Sequence, residues 1–130
     1  MDHMDQKIPP HALIIEDDAF FSELLARNLS RRNFRVTTVE DLDAAKKYLV
    51  KGGCDVVCFD IVVSGGDGMK RLSEIKTGGF FKSTPLLLLI DKEQEPKVLL
   101  WVNEDAVAYV VKNESSPDEI ASKIETLATR

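Results

Sequence analysis

Asp55-Val56-Val57-Cys58-Phe59-Asp60-Ile61-Val62-Val63-Ser64-Gly65-Gly66-Asp67-Gly68 is the stretch whose reading decides the fold of this chain. The apolar run from Val56 to Phe59 stops abruptly on a carboxylate, Asp60. Gly68 closes a glycine-rich loop eight residues later, and a helical pattern follows through Met69, Leu72 and Ile75. Such a run reads as a strand buried on both faces, whose carboxyl end delivers one acid to a crevice. Two roles are open to that acid. It caps the next element, or it does chemistry.

Working outward, the same grammar repeats. Ala12 to Ile15 is a short apolar strand that runs into Glu16-Asp17-Asp18, and Phe21, Leu24, Leu25 and Leu29 then recur at helical spacing with Asp18 as N-cap. The chain turns between Arg31 and Asn33, and Phe34 to Val39 alternates like a strand nearer an edge. Glu40-Asp41 opens a second helix with Leu42, Ala45 and Leu49 on one face, stopped by Gly52-Gly53. Pro85 opens the most apolar strand, Leu86 to Ile90. Glu93 to Asn103 reads as a helix, although Val98 to Val102 also suits a strand. Ala108 to Val111 is a fifth strand that ends on Lys112. Ser116, Pro117 and Glu119 then form a capping-box start for a last helix with Ile120, Ile124 and Leu127 inward.

Five strand–helix units predict an α/β fold, a (βα)5 doubly wound parallel sheet with helices on both faces. In such sheets ligands bind outside the carboxyl ends of the strands. Three of the five strands end in charge there: Glu16-Asp17, Asp60 and Lys112.

Composition bounds the function. A chain of 130 residues suits one folded domain, expected over 11–130 behind a flexible N-terminal tail at 1–10. A net charge of −5 with no basic stripe argues against nucleic acid and anionic membrane as partners of this segment. Cys54 and Cys58 lack a companion His or Cys cluster and read as small hydrophobes in a reducing compartment. No apolar run is long enough to span a membrane and no secretory pattern opens the chain, so a cytoplasmic location is expected.

The chain resembles a response-regulator receiver domain, the phosphoacceptor module of two-component signalling. The resemblance covers about Ala12 to Ala128 and rests on Glu16-Asp17, the loop from Asp60 to Asp67-Gly68, and Tyr109-Val110-Val111-Lys112. It implies a flavodoxin-like strand order 2-1-3-4-5. It implies that Asp60 takes a phosphoryl group from a histidine kinase, a phosphotransfer protein or a small phosphodonor. Glu16, Asp17, Asp60 and the backbone carbonyl of Val62 would hold Mg2+, bound weakly, and Lys112 would pair first with Asp60 and then with the phosphoryl group. By the same resemblance, Tyr109 is an aromatic that changes rotamer on phosphorylation. Asp67 reads as a turn residue and Trp101 as core.

The sequence also departs from the family pattern. Ile90 and Asp91 stand where receivers carry Thr or Ser and then a small residue. A hydroxyl donor to a charged acceptor is worth ~1.5–3 kcal/mol. A carboxylate ~6 Å from a phosphoryl dianion repels it by roughly 3–5 kcal/mol at an effective dielectric of ~20. Asn113 replaces the proline that usually follows the lysine behind a cis peptide, and Ser64 replaces a loop proline. Three functions are therefore weighed: a phosphoacceptor receiver with altered switching, an atypical receiver serving as a phosphorylation-independent interaction module, and an unrelated metal-dependent α/β enzyme. The third lacks any further base, nucleophile or substrate loop. The segment is expected to be a stand-alone receiver or one cut from a longer protein.

Overall fold

The computed structural model describes residues 8–62, 68–79, 84–100 and 107–129. Strands β1 (His11–Ile15), β2 (Arg35–Val39), β3 (Val56–Asp60), β4 (Leu86–Ile90) and β5 (Val107–Val111) form one parallel sheet in the order 2-1-3-4-5. Helices α1 (Ala19–Arg31), α2 (Leu42–Lys51), α3 (Gly68–Gly78), α4 (Glu95–Leu99) and α5 (Pro117–Ala128) alternate with them.

Side chains on a strand alternate between its faces, so an unbroken apolar strand must have cover on both. On one face Leu13, Ile15, Val57, Phe59, Leu86, Leu88 and Ile90 pack with Leu42 and Ala45 of α2 and Val98 of α4. On the other, Ala12, Ile14, Val56, Cys58, Leu87 and Leu89 pack with Leu25 and Leu29 of α1 and with Ile120, Ile124 and Leu127 of α5. β3 and β4 are buried throughout, whereas β2, at the edge, keeps Arg35 and Thr38 exposed.

Local chemistry sets the element ends. Asp18 Oδ1 accepts from the Phe20 and Phe21 N–H groups, and Asp41 Oδ1 from that of Ala44. Asn33 (φ 68°) and Gly52 (φ 80°) take left-handed conformations after α1 and α2, which suits an asparagine and a glycine. Ser116 and Glu119 exchange side-chain and backbone hydrogen bonds around Pro117, completing the expected capping box. Pro9 and Pro10, assigned to the tail by sequence, each accept a hydrogen bond from Arg35 through their carbonyls. Residues 1–7 of that tail lie outside the described residues.

The segment after β4 differs in form from the expectation. It is a 3₁₀ turn, Lys92–Gln94, running into a five-residue α4, so Val98 and Leu99 are helical rather than extended. Asp91 and Gln94 explain the tighter start, because their side chains and backbones cap each other across that one turn. Trp101 to Asn103 lie outside the described residues.

Ser116→Ala removes the acceptor for the Glu119 N–H and should lower unfolding free energy by about 1 kcal/mol in urea denaturation. An unchanged midpoint would show that the start of α5 does not depend on its cap.

Candidate functional site

Register assembles the site. Ile15 lies opposite Val39 and Phe59, Asp60 opposite Leu89, and Ile90 opposite Val111. The strand ends therefore lie level, and the residues that follow them share one edge of the sheet. Glu16 (3% exposed) and Asp60 (1% exposed) are buried there, where an ionised carboxylate needs partners. Lys112 supplies them, with Nζ 2.5 Å from Asp60 Oδ2 and 2.9 Å from Glu16 Oε1. Asp60 Oδ1 accepts from the Val62 N–H at 2.7 Å, and Glu16 Oε2 from that of Asp18 at 3.1 Å. The Lys112 ammonium also lies 4.5 Å from the centre of the Phe21 ring, within cation–π range.

Asp17 completes an acidic trio. It is solvent-exposed, and with Glu16 and Asp60 it offers oxygens that all lie within 4.8 Å of one another. Hard oxygen donors clustered in this way fit Mg2+. A second observation agrees. Glu16 Oε1 is charge-paired with Lys112 but not aligned for a hydrogen bond, which leaves a buried oxygen without a donor. Asp18, by contrast, spends its carboxylate on the start of α1.

Arg71 of α3 is a site residue that the sequence did not reveal. Its Nη2 lies 3.9 Å from Asp17 Oδ2, and its Nη1 donates to the Asp60 backbone carbonyl at 3.4 Å. The available signal was weak: a basic residue one position before the apolar Leu72, three after Gly68. Among the described residues, the carboxylates of Glu16, Asp17 and Asp60 face the cations of Lys112 and Arg71. Burial, then the hydrogen bond and charge of Asp60, push the Glu16 carboxyl up to about 8, although Lys112 and the Asp18 N–H pull the other way. Burial works against the Lys112 ammonium, but its hydrogen bond to Asp60 and the charge of the nearby Glu16 prevail and hold its pKa above the usual lysine value.

The expected switch positions are occupied differently. Ile90 is fully buried in the core and offers the site no donor. Asp91 Oδ1 accepts from the Gln94 N–H at 3.1 Å, so its carboxylate serves as a cap. The Tyr109 hydroxyl donates to Glu95 Oε2 at 2.7 Å, a bond that raises the tyrosine pKa and lowers that of the glutamate. Phe21, Val62, Ile90, Asp91, Lys112 and Asn113 line a cavity of about 320 Å³ beside the acids. No described peptide bond is cis, the one before Asn113 included. Ser64 and Asp67 lie outside the described residues.

Comparison with known proteins agrees with this geometry. The family model "Response regulator receiver domain" matches residues 12–125. Transcriptional regulatory protein ResD of Bacillus subtilis is 27% identical over 98% of this chain, and that match covers 51% of ResD. Phosphate regulon transcriptional regulatory protein PhoB of Escherichia coli is 25% identical over 91% of the chain and 51% of its own length. The chain thus spans about half the length of these relatives. Among solved structures, response regulator protein TrrA of Thermotoga maritima in complex with Mg2+–BeF superposes with a TM-score of 0.69. It is 26% identical, over 91% of this chain and 98% of that one.

Three outcomes follow from the electrostatics. The raised Glu16 pKa stabilises the metal-free fold fully below pH 4.5, and that contribution is lost as pH rises through about 8. Urea denaturation across this window should show the decline in wild type, and Glu16→Gln should lack that component. A parallel pH profile in both proteins would remove Glu16 as its source. Arg71→Ala removes a cation that competes with Mg2+ at Asp17 and should tighten Mg2+ binding on the order of threefold by calorimetry. Asp17→Asn should weaken binding more than tenfold, roughly, while Asp18→Asn leaves it unchanged. Equal losses in the two Asn variants would show the acids to be wrongly assigned.

Proposed function

Because the chain belongs to the response regulator receiver domain family, we propose that it is a phosphoacceptor, in which Asp60 accepts a phosphoryl group from a histidine kinase or phosphotransfer protein. The observation that carries this reading is the buried Asp60–Lys112–Glu16 cluster with Asp17 beside it. Asp60 is the nucleophile: one of its carboxylate oxygens forms a bond to phosphorus as the bond from phosphorus to the donor imidazole nitrogen breaks. The Val62 N–H and Lys112 hold the two oxygens of that carboxylate in place beforehand. Lys112 then follows the negative charge onto the phosphoryl oxygens, where an ammonium makes strong charge-assisted hydrogen bonds. Glu16, Asp17, Asp60 and the Val62 carbonyl would hold Mg2+, which when bound would supply charge neutralisation for the transferring group. We place the exchange in the cytoplasm, in keeping with two free cysteines, one of them fully buried with its thiol pKa driven well up by desolvation.

A second reading, a phosphorylation-independent interaction module, draws on Ile90. A buried isoleucine at the end of β4 gives a phosphoryl group nothing to hold on that strand. Asp91 adds negative charge at the cavity rim, moderated by its cap to Gln94. These features set the expected behaviour of a phosphoacceptor here: slow loading, with weak reorganisation of Tyr109.

Incubation with a small phosphodonor and Mg2+ should add one phosphoryl group to wild type by intact mass, and none to Asp60→Asn. Ile90→Thr with Asp91→Ala should load about tenfold faster or more, from the regained donor and the lost repulsion. The double variant should also show new chemical-shift changes around Tyr109. Equal loading of parent and double variant would mean that these two positions do not limit the reaction. Absence of modification in both would transfer the assignment to the interaction module.

A further inference from the structure

Gln94 lies outside the acidic cluster, yet its side chain is tied to the residue next to Asp60. Its Nε2 donates to the Ile61 carbonyl at 3.1 Å, and its Oε1 accepts from the Asp91 N–H at 2.9 Å. A donor at one end and an acceptor at the other fix which way round the amide sits. Its own backbone N–H donates to Asp91 Oδ1. The side chain therefore spans from the first turn after β4 to the loop after β3, held at both ends.

The Ile61 carbonyl and the Val62 N–H belong to the same peptide unit. In a planar trans peptide these two groups point in opposite directions, so holding one aims the other. Gln94 holds the carbonyl, and the N–H meets Asp60 Oδ1 at 2.7 Å. Rotation of that plane would break both bonds. It would also leave the carbonyl of the fully buried Ile61 without this donor.

We infer that Gln94 is a positioning residue for phosphoryl transfer: by fixing the Ile61–Val62 peptide it aims the Val62 N–H at Asp60 and sets the orientation of the acceptor carboxylate. The role rests on the phosphoacceptor reading given above. Glutamine alone among the acidic and amide side chains of this length has the donor that the Ile61 carbonyl needs while keeping an acceptor for the Asp91 N–H. The glutamate carboxylate keeps the second and loses the first.

Gln94→Glu and Gln94→Ala test this in the full chain by amide NMR, first without ligand and then with Mg2+ and beryllofluoride. In the metal-free protein, Gln94→Glu should shift the Val62 amide signal and speed its hydrogen exchange, while the Val98 amide in α4 stays near its wild-type position. Acidification that protonates the introduced carboxyl restores a donor and should return the Val62 signal toward wild type, which a purely structural defect would not do. Beryllofluoride with Mg2+ should bind Gln94→Glu about tenfold more weakly than wild type, the size expected for one hydrogen bond. Gln94→Ala should bind equally weakly and show no rescue by acid. An unmoved Val62 amide in Gln94→Glu, or wild-type beryllofluoride affinity in both variants, overturns the proposal. Wild type that does not respond to beryllofluoride overturns the phosphoacceptor reading itself, and with it any part for Gln94 in phosphoryl transfer, whatever the Val62 amide shows.

Discussion

A single ammonium group shared by two buried carboxylates is the interaction on which this site depends. Glu16 follows β1 and Asp60 ends β3, both strands packed on both faces, so neither can turn its carboxylate freely to water. Lys112 reaches both from the end of β5, across the intervening strand β4. Removing one partner of a buried charge group is far more destabilising than the group is stabilising, because the remaining charge is left without compensation. The three residues are therefore interdependent. The guanidinium of Arg71 adds a second positive charge beside Asp17. A divalent cation held by these acids would compete with that guanidinium for Asp17.

Most of the fold was legible in the sequence, because parallel strands buried on both faces write themselves as unbroken apolar runs. Leu86 to Ile90 was delimited to the residue, and the caps at Asp18 and Ser116 were readable from residue type and position alone. The convergence of Glu16, Asp17, Asp60 and Lys112 was legible for a related reason. A parallel sheet gathers all its carboxyl ends on one edge, so a charge at the end of an apolar run has a known address. The roles assigned to those residues came from the family resemblance, since position alone does not separate a nucleophile from a cap.

The residues that escaped reading act through side-chain reach across elements. Arg71 and Gln94 come from helical or turn segments, and their positions there say nothing about contacts with the ends of β1 and β3. Glu95 hid its bond to Tyr109 in the same way, separated from it by fourteen positions. The 3₁₀ turn was illegible because Asp91 looked like an acid beside the site. Its cap is visible only once Gln94 is recognised as the other half of a capping box.

Asp91 and Gln94 alter the meaning of Ile90. An isoleucine at the end of β4 cannot hydrogen-bond, so polar contact between the acceptor loop and the fourth strand cannot run through its side chain. Gln94 makes a connection just beyond it, from the Ile61 carbonyl to the Asp91 N–H. The next residue along, Glu95, holds the Tyr109 hydroxyl. A continuous path of hydrogen bonds and chain thus links the Asp60 loop to Tyr109 while bypassing Ile90. Contiguity of this kind transmits a signal only if one of its members has two arrangements of different affinity for the loaded site. Tyr109 stands at the far end of that path, half-buried and bonded through its hydroxyl to a glutamate that Lys92 also engages. The isoleucine at the end of β4 therefore does not isolate the Asp60 loop from the face of the sheet where Tyr109 sits.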